Sequence, residues 1–458
     1  MQTMSKFDCI SPLDYRYQDE RFNEFLSEES RIRYQARVEA ALATALAKQG
    51  MCTREAAERI AKACEKVMAK EVYEEENVTK HDVRALVNCI RKNLKDEDKP
   101  FVHFGATSYD IVDTANALRY KEASEKLLMP SLISLEKTLI EIAMREKSTL
   151  QIGRTHGQHA EPITFGFAIA GCVNRLGNRI KAIERAKENL EGKFSGAVGS
   201  YNGSSLFIRE PVAFEKSIME QIGLRQCRHS TQVVGPESLL DLLNALVGAF
   251  NVLANFSDDM RNLQRSEIAE VGEAFEEKQV GSSTMPHKRN PINFENVKSM
   301  WKAFMPRIIT FNLDAISEHQ RDLTNSASQR FVPELFAGLV SSADRLNNVC
   351  RKMAVDKESM KRNFQKSSDG IVAEPLYLLL AAKGHPDAHE YVRKKTLEAE
   401  KRGKKLMELV KADEEAKPYL ERLGKQQLEL LEKPEKYTGL AEAKTVEVCS
   451  YWKNEFRI

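Results

Sequence analysis

Residues 236–263 constrain this chain more than any other segment. Pro236 follows Gly235 and precedes Glu237, a proline-first start with an acid favouring the positive end of a helix dipole. Leu239, Leu243, Leu246, Phe250, Leu253, Met260 and Leu263 then recur at helical steps. Leu240, Leu242, Val247, Val252 and Phe256 cover other faces of the same helix. A helix this long and apolar on several sides needs neighbours on several sides. The implied architecture is a helical bundle core, within one chain or shared between subunits.

Other segments follow the same period. Residues 115–147 read as a helix that Pro130 kinks or breaks. Residues 165–191 and 297–314 are further long candidates. Residues 31–49, 53–69, 389–412 and 418–431 are also helical but more charged, as expected of peripheral helices with solvated faces. Strand-like alternation is scarce, and residues 198–208 are the best candidate for an extended piece. The 22 glycines and 14 prolines make up about 8% of the 458 residues, against roughly 12% in average usage, so tight turns are under-represented. The expected class is all-α. At roughly 150 residues per domain the length suggests three domains. Changes of composition near residues 101–108 and 357–365 suggest an N-terminal helical domain (1–106), a central long-helix bundle (107–359) and a C-terminal helical domain (360–458).

Composition excludes several classes. Lys and Arg number 69 against 67 Asp and Glu, so the chain is no general polyanion binder, and no nucleic-acid partner is expected. The N-terminal residues carry Asp, Glu and Arg where a secretory signal would be apolar. The longest apolar run, 376–382, falls well short of the roughly 18–20 residues a bilayer needs, so no membrane partner is expected. The eight cysteines form no CxxC pair and fit a reducing, cytoplasmic setting. The chain has no P-loop, no GxGxxG after a strand and no HExxH.

Polar residues that break the helical pattern cluster in five places. Residues 279–291 have neither helical nor strand period and carry Gly281, Ser282, Ser283, Lys288, Arg289 and Asn290. By composition alone this run reads equally as a mobile site loop or a polar connection. Residues 154–162 (RTHGQHAEP) hold His156 and His159 beside Gly157. A lone histidine is more often structural than catalytic, and no third ligand at a defined spacing supports a metal site. Residues 79–83 (TKHDV) and 103–110 (HFGATSYD) pack donors, a histidine and an acid together. In residues 320–330, Arg321 and Arg330 are natural carboxylate or phosphate clamps. A solvated charged face explains each of the last three equally well.

Residues 281–291 (GSSTMPHKRNP) resemble the signature loop of the fumarase/aspartase superfamily, of general form GSSxMPxKxNP. With SPLDYRY (11–17), TKHDV, HFGATSYD, RTHGQHAEP, SGAVGSYN (195–202) and RDLTNS (321–326), in this order, the chain resembles the adenylosuccinate lyase branch of that superfamily. The resemblance covers residues 11–330. It implies an all-α homotetramer with a long-helix bundle at its core and active sites shared between subunits. It also implies elimination of fumarate from adenylosuccinate to give AMP, and from succinylaminoimidazole carboxamide ribotide (SAICAR) to give AICAR, with no metal or organic cofactor.

By motif position, the resemblance implies Ser282 as general base and Ser283 as a substrate contact. Lys288 and Asn290 would hold the carboxylate on which charge builds. His156 would be the acid that protonates the leaving nitrogen, and Glu295 would orient it. Arg16 and Tyr17 would touch the phosphate end or the base, and Lys80, His81 and Asp82 would line the nucleotide site. Thr107 and Ser108 would bind succinyl carboxylates, Gln232 would contact the substrate, and Arg321, Ser326 and Arg330 would hold ribose phosphate. His159 falls at a variable motif position and receives no role. The chemistry asks for such a set. The reaction removes a weakly acidic C–H proton, expels an amine nitrogen and builds a doubly negative carboxylate. The alternatives are another superfamily lyase, such as an argininosuccinate lyase, and a non-catalytic structural relative.

Overall fold

The computed structural model describes residues 8–274, 284–285 and 287–458. Ser282, Ser283 and Gln279 therefore lie outside the described residues. The fold is all-α. Among the described residues the strands form three two-stranded pieces.

The chain divides into two compact units. The first comprises Met1–Ile133, Asn178–Ala254 and Lys298–Asp344. The second comprises Ser134–Gly177, Asn255–Val297 and Arg345–Ile458.

In the first unit the Glu28–Lys48 helix begins where Ser27 Oγ accepts the Ser30 N–H at 3.1 Å. It packs on the Arg54–Cys64 and Ser108–Ala123 helices. Ile32, Ala36 and Ala43 join Ile60, Leu86 and Ile90 in one core. This helix is more buried than its charge suggests. Arg33, Arg37 and Lys48 are exposed, while Ile32, Val38, Leu42 and Leu46 are buried. Even Glu39 is buried, its carboxylate 2.7 Å from His103 Nδ1.

The second unit has its own cluster, including Leu376, Leu380, Val392, Leu406 and Val410. Gly177 is required there. A Cβ at this position would lie 2.4 Å from the Trp452 ring, whose Nε1 donates to Asn174 Oδ1.

Several expected helices are interrupted at identifiable residues. Ser108–Ala123 leads into a π-helical turn, Ser124–Leu128, just before the Met129–Arg145 helix that contains Pro130. The segment expected at 297–314 is two helices, Ile292–Phe304 and Arg307–Leu313, separated at Pro306. The segment at 389–412 is broken at Gly403, which takes the left-handed φ of 59°. The segment at 418–431 is broken before Gly424.

Residues 198–208 are not a strand. Tyr201 is left-handed and Ser204–Leu206 forms a 3₁₀ turn. The main extended structure is a hairpin, Leu150–Thr155 with Gln158–Thr164.

The Glu237–Leu263 helix matches its periodicity. By length and composition it is apolar enough to cross a membrane, and 61% of its most apolar window is buried inside the structure, as in a core helix of a soluble protein.

Candidate active site

Within the first unit a cavity of about 930 Å³ is lined by residues from distant parts of the chain. Lys80, His81, Asp82, Ser108, Gln232, Arg321, Ser326 and Arg330 all contribute. These eight come from four stretches of the sequence, 80–82, 108, 232 and 321–330, and the fold brings them to one wall system.

Each is set by a local device. Lys80 ends the Ala69–Thr79 helix in the left-handed conformation, with φ 54°. His81 then caps the next helix, its Nδ1 accepting the Arg84 N–H at 3.2 Å. In a neutral imidazole that bond leaves the proton on Nε2, which lies 3.5 Å from Ser108 Oγ. Ser108 is the first residue of the Ser108–Ala123 helix, so free backbone N–H groups accompany its hydroxyl. Asp110 closes that helix start by accepting the Thr107 N–H at 2.8 Å. Asp110 is itself paired with the fully buried Lys193.

Arg321 is held on three sides. Its guanidinium lies over the Tyr109 ring, 3.4 Å from the centroid, and donates to the Tyr109 hydroxyl and, at 3.2 Å, to Gln232 Oε1. Its buried Nε has no hydrogen-bond partner among the described residues. A preorganised guanidinium with a spare donor is suited to a carboxylate or phosphate.

The second unit positions His156. It occupies the two-residue tip of the hairpin with Gly157, at φ 54° and 76°. Two successive positive φ values are what a type I′ hairpin turn requires. His156 is exposed. Below it, Arg154 donates to the fully buried Glu270 at 2.6 Å. Gln151 and Asn363 also donate to Glu270, at 2.8 and 3.0 Å. A buried carboxylate needs such compensation, and here it anchors the hairpin base. His159 is engaged elsewhere, 2.6 Å from Ser367 Oγ.

The flanks of the signature loop are tied down in the same unit. Gln264 accepts the Glu273 N–H at 3.0 Å and donates to the Arg289 carbonyl at 3.2 Å. Glu273 caps the Ile292–Phe304 helix by accepting the N–H groups of Asn293 and Phe294, each at 2.9 Å. Lys288 and Glu295 are exposed and Asn290 is half-buried.

Three expected binding residues of the first unit do not line the cavity. Arg16 is exposed at the end of the short Pro12–Tyr15 helix, and Tyr17 lies beyond it. Ser11, Leu13 and Asp14 line the cavity from that segment instead. Thr107 is occupied as a helix cap. Conversely, Arg31, Tyr109 and Arg119 line the cavity although the sequence does not single them out. Tyr109 sits inside a motif beside Ser108. Arg31 and Arg119 are hidden among the ordinary charges of amphipathic helices.

The comparisons agree along nearly the whole chain. The lyase family model matches residues 15–304, and the adenylosuccinate lyase C-terminal model matches residues 317–438. The adenylosuccinate lyase of Pyrococcus abyssi (strain GE5 / Orsay) is 38% identical, over 97% of this chain and 98% of that protein. This chain belongs to the adenylosuccinate lyase family. A bacterial member, from Bacillus subtilis (strain 168), is 34% identical over 75% of this chain and 79% of its own length. The fold extends further than the sequence likeness. The crystal structure of 3-carboxy-cis,cis-muconate lactonizing enzyme from Pseudomonas putida superposes with a TM-score of 0.82 at 24% identity, covering 96% of this chain and 99% of that one. Fumarate lyase from Mesorhizobium sp. BNC1 gives 0.82 at 23%, covering 95% and 98%.

Proposed function

We propose that this chain is an adenylosuccinate lyase, eliminating fumarate from adenylosuccinate to leave AMP and from SAICAR to leave AICAR. The observation that carries the reading is the cavity of about 930 Å³ lined by Lys80, His81, Ser108, Arg321 and Arg330. Its size suits a nucleotide-sized ligand. Its cations and donors suit a substrate with one phosphate and two carboxylates. Family membership supplies the reaction.

In the proposed mechanism Ser282, having released its own hydroxyl proton to solvent, takes the C–H proton next to a carboxylate as an alkoxide. The electron pair left behind delocalises into that carboxylate, which Lys288 and Asn290 hold. It then forms the C=C bond of fumarate as the C–N bond breaks. His156 gives its proton to the departing nitrogen, and Glu295 orients the ring. A serine alcohol is a weak base, so the loop must lower its proton affinity through Lys288, backbone N–H groups or exclusion of water. Asp82, Ser283, Gln232 and Ser326 complete the binding set.

The proposal includes a homotetramer with shared sites, a three-domain chain divided near residues 106 and 359, and a cytoplasmic location. The eight free cysteines fit that location. The deciding experiment is direct assay of the purified chain with adenylosuccinate and with argininosuccinate. Turnover of the first and not the second is expected; the reverse result would overturn the reading.

A further inference from the structure

The Ser108–Ala123 helix carries a second acid one turn after Asp110. Asp113 lines a smaller cavity of about 120 Å³, adjoining the larger one through Asn116, Tyr120, Arg321 and Gln329. It does not line the larger cavity itself. Its Oδ2 accepts the Val234 N–H at 2.9 Å. Two residues before Val234 stands Gln232, whose Oε1 accepts from Arg321 Nη1 at 3.2 Å.

The segment between is a tight turn. The Thr231 N–H donates to the Val233 carbonyl at 3.1 Å, and the Val233 N–H to Thr231 Oγ1 at 3.4 Å. Such a turn transmits a displacement at residue 234 to residue 232. On its other side the chain is seated against a glycine. A Cβ on Gly199 would lie 2.0 Å from the Ser230 carbonyl oxygen, and Ser230 Oγ bonds Ser195 Oγ at 2.6 Å. The turn is thus clamped between the 195–199 segment and the Asp113 carboxylate. Without the second clamp the amide of Gln232 has no fixed place from which to hold Arg321.

We infer that Asp113 is a positioning residue for the Gln232–Arg321 pair, acting through the Val234 N–H rather than on the ligand. This rests on the proposed reaction. It adds to that reading a residue that the motif matches leave without a role. An anchor of this kind works by preorganisation. The guanidinium keeps its geometry before the anion arrives, so losing the anchor weakens binding of every ligand that uses Arg321. The chemical step, carried out by other groups, is less affected.

The test is a double-mutant cycle on the full chain, with turnover of adenylosuccinate and affinity for AMP as readouts. Wild-type turnover is measured first. Its absence would overturn the proposed function, and this inference with it. With an active wild type, Asp113→Ala should raise KM and the AMP Kd about tenfold, in the range of coupling through a shared network. kcat should change less than KM. Asp113→Asn keeps an oxygen acceptor for Val234 and should stay within about twofold of wild type. In a Gln232→Ala background, adding Asp113→Ala should cost less than about twofold more. The same loss from Asp113→Ala in both backgrounds would show that Asp113 does not act through Gln232. So would an Asp113→Asn chain, with no loss of melting temperature, as impaired as Gln232→Ala. The Asn arm keeps the inference open to refutation even where Asp113→Ala does not fold.

Discussion

Asp113, half-buried, and Glu136, fully buried, show how a single residue's surroundings act on its charge. Burial pushes the Asp113 carboxyl from 3.8 up to about 6, against the opposing pull of the Val234 N–H and the charges of Lys193 and Arg321. Because the folded value lies above the free one, the folded chain binds more protons than the unfolded chain between those two values. Stability therefore falls as pH rises from about 4 to about 6, and this contribution is constant above that. Asp113→Asn should accordingly melt at a higher temperature than wild type above pH 6, by an amount worth at most about 3 kcal/mol. The gap should narrow as pH falls toward 4, and thermal melts of both chains across that range would expose a pH-independent gap. Glu136 is the more extreme case. It is fully buried, neither carboxyl oxygen has a hydrogen-bond partner among the described residues, and burial raises its pKa well above the usual range. Its two oxygens are unpaired among the described residues, and leaving them so carries a cost. Glu136→Met removes the unpaired oxygens at similar volume and should stabilise the chain by about 1–3 kcal/mol. A lower melting temperature in the variant would mean that Glu136 has a partner and is not an orphan.

At the scale of elements, the hairpin 150–164 and the helix starts carry the chemistry-bearing residues. His156 is presented by a turn whose two positive φ values leave it exposed, and Gly157 supplies one of them without steric cost. The hairpin's orientation depends on Glu270, which collects Arg154, Gln151 and Asn363. Glu270→Ala leaves Arg154 without its acid and the two amides without their acceptor. Breaking a buried pair from one side costs about 3–5 kcal/mol. We expect a clear fall in melting temperature together with a fall in turnover, although Glu270 takes no part in the proposed chemistry. Retention of full turnover would show that the hairpin tip does not need this anchor.

At the scale of the whole molecule, the proposed tetramer shares each site among chains. His156→Ala and Ser282→Ala chains, each inactive alone, should regain part of their turnover when unfolded together and reassembled. Recovery is expected because some mixed sites would combine an intact His156 from one chain with an intact Ser282 from another. Mixed assemblies as inactive as their parents would count against shared sites. Exposed apolar residues of the single chain, among them Ile309, Leu313 and Ile316, are the kind of surface an assembly covers.

The helical class and the long Glu237–Leu263 helix were written in the order of apolar residues, because a 3.6-residue period is a local property that survives without knowledge of neighbours. The motif residues Lys80, His81, Ser108, Arg321 and Arg330 were legible too, since polar clusters that break an apolar period stand out in one dimension. That they line one cavity depended on the tertiary structure, because they are brought together by packing of helices distant in sequence. The same holds for Tyr109 under Arg321 and Asp113 behind Gln232, ordinary residues of an amphipathic helix until a neighbouring segment folds onto them. The hairpin was hidden for a different reason. Its strands are short and polar, and their pairing depends on a turn geometry and a buried Glu270 more than a hundred residues away. Local pattern thus determined which long helices form, and long-range packing decided where they stop, what they bury and which polar groups meet.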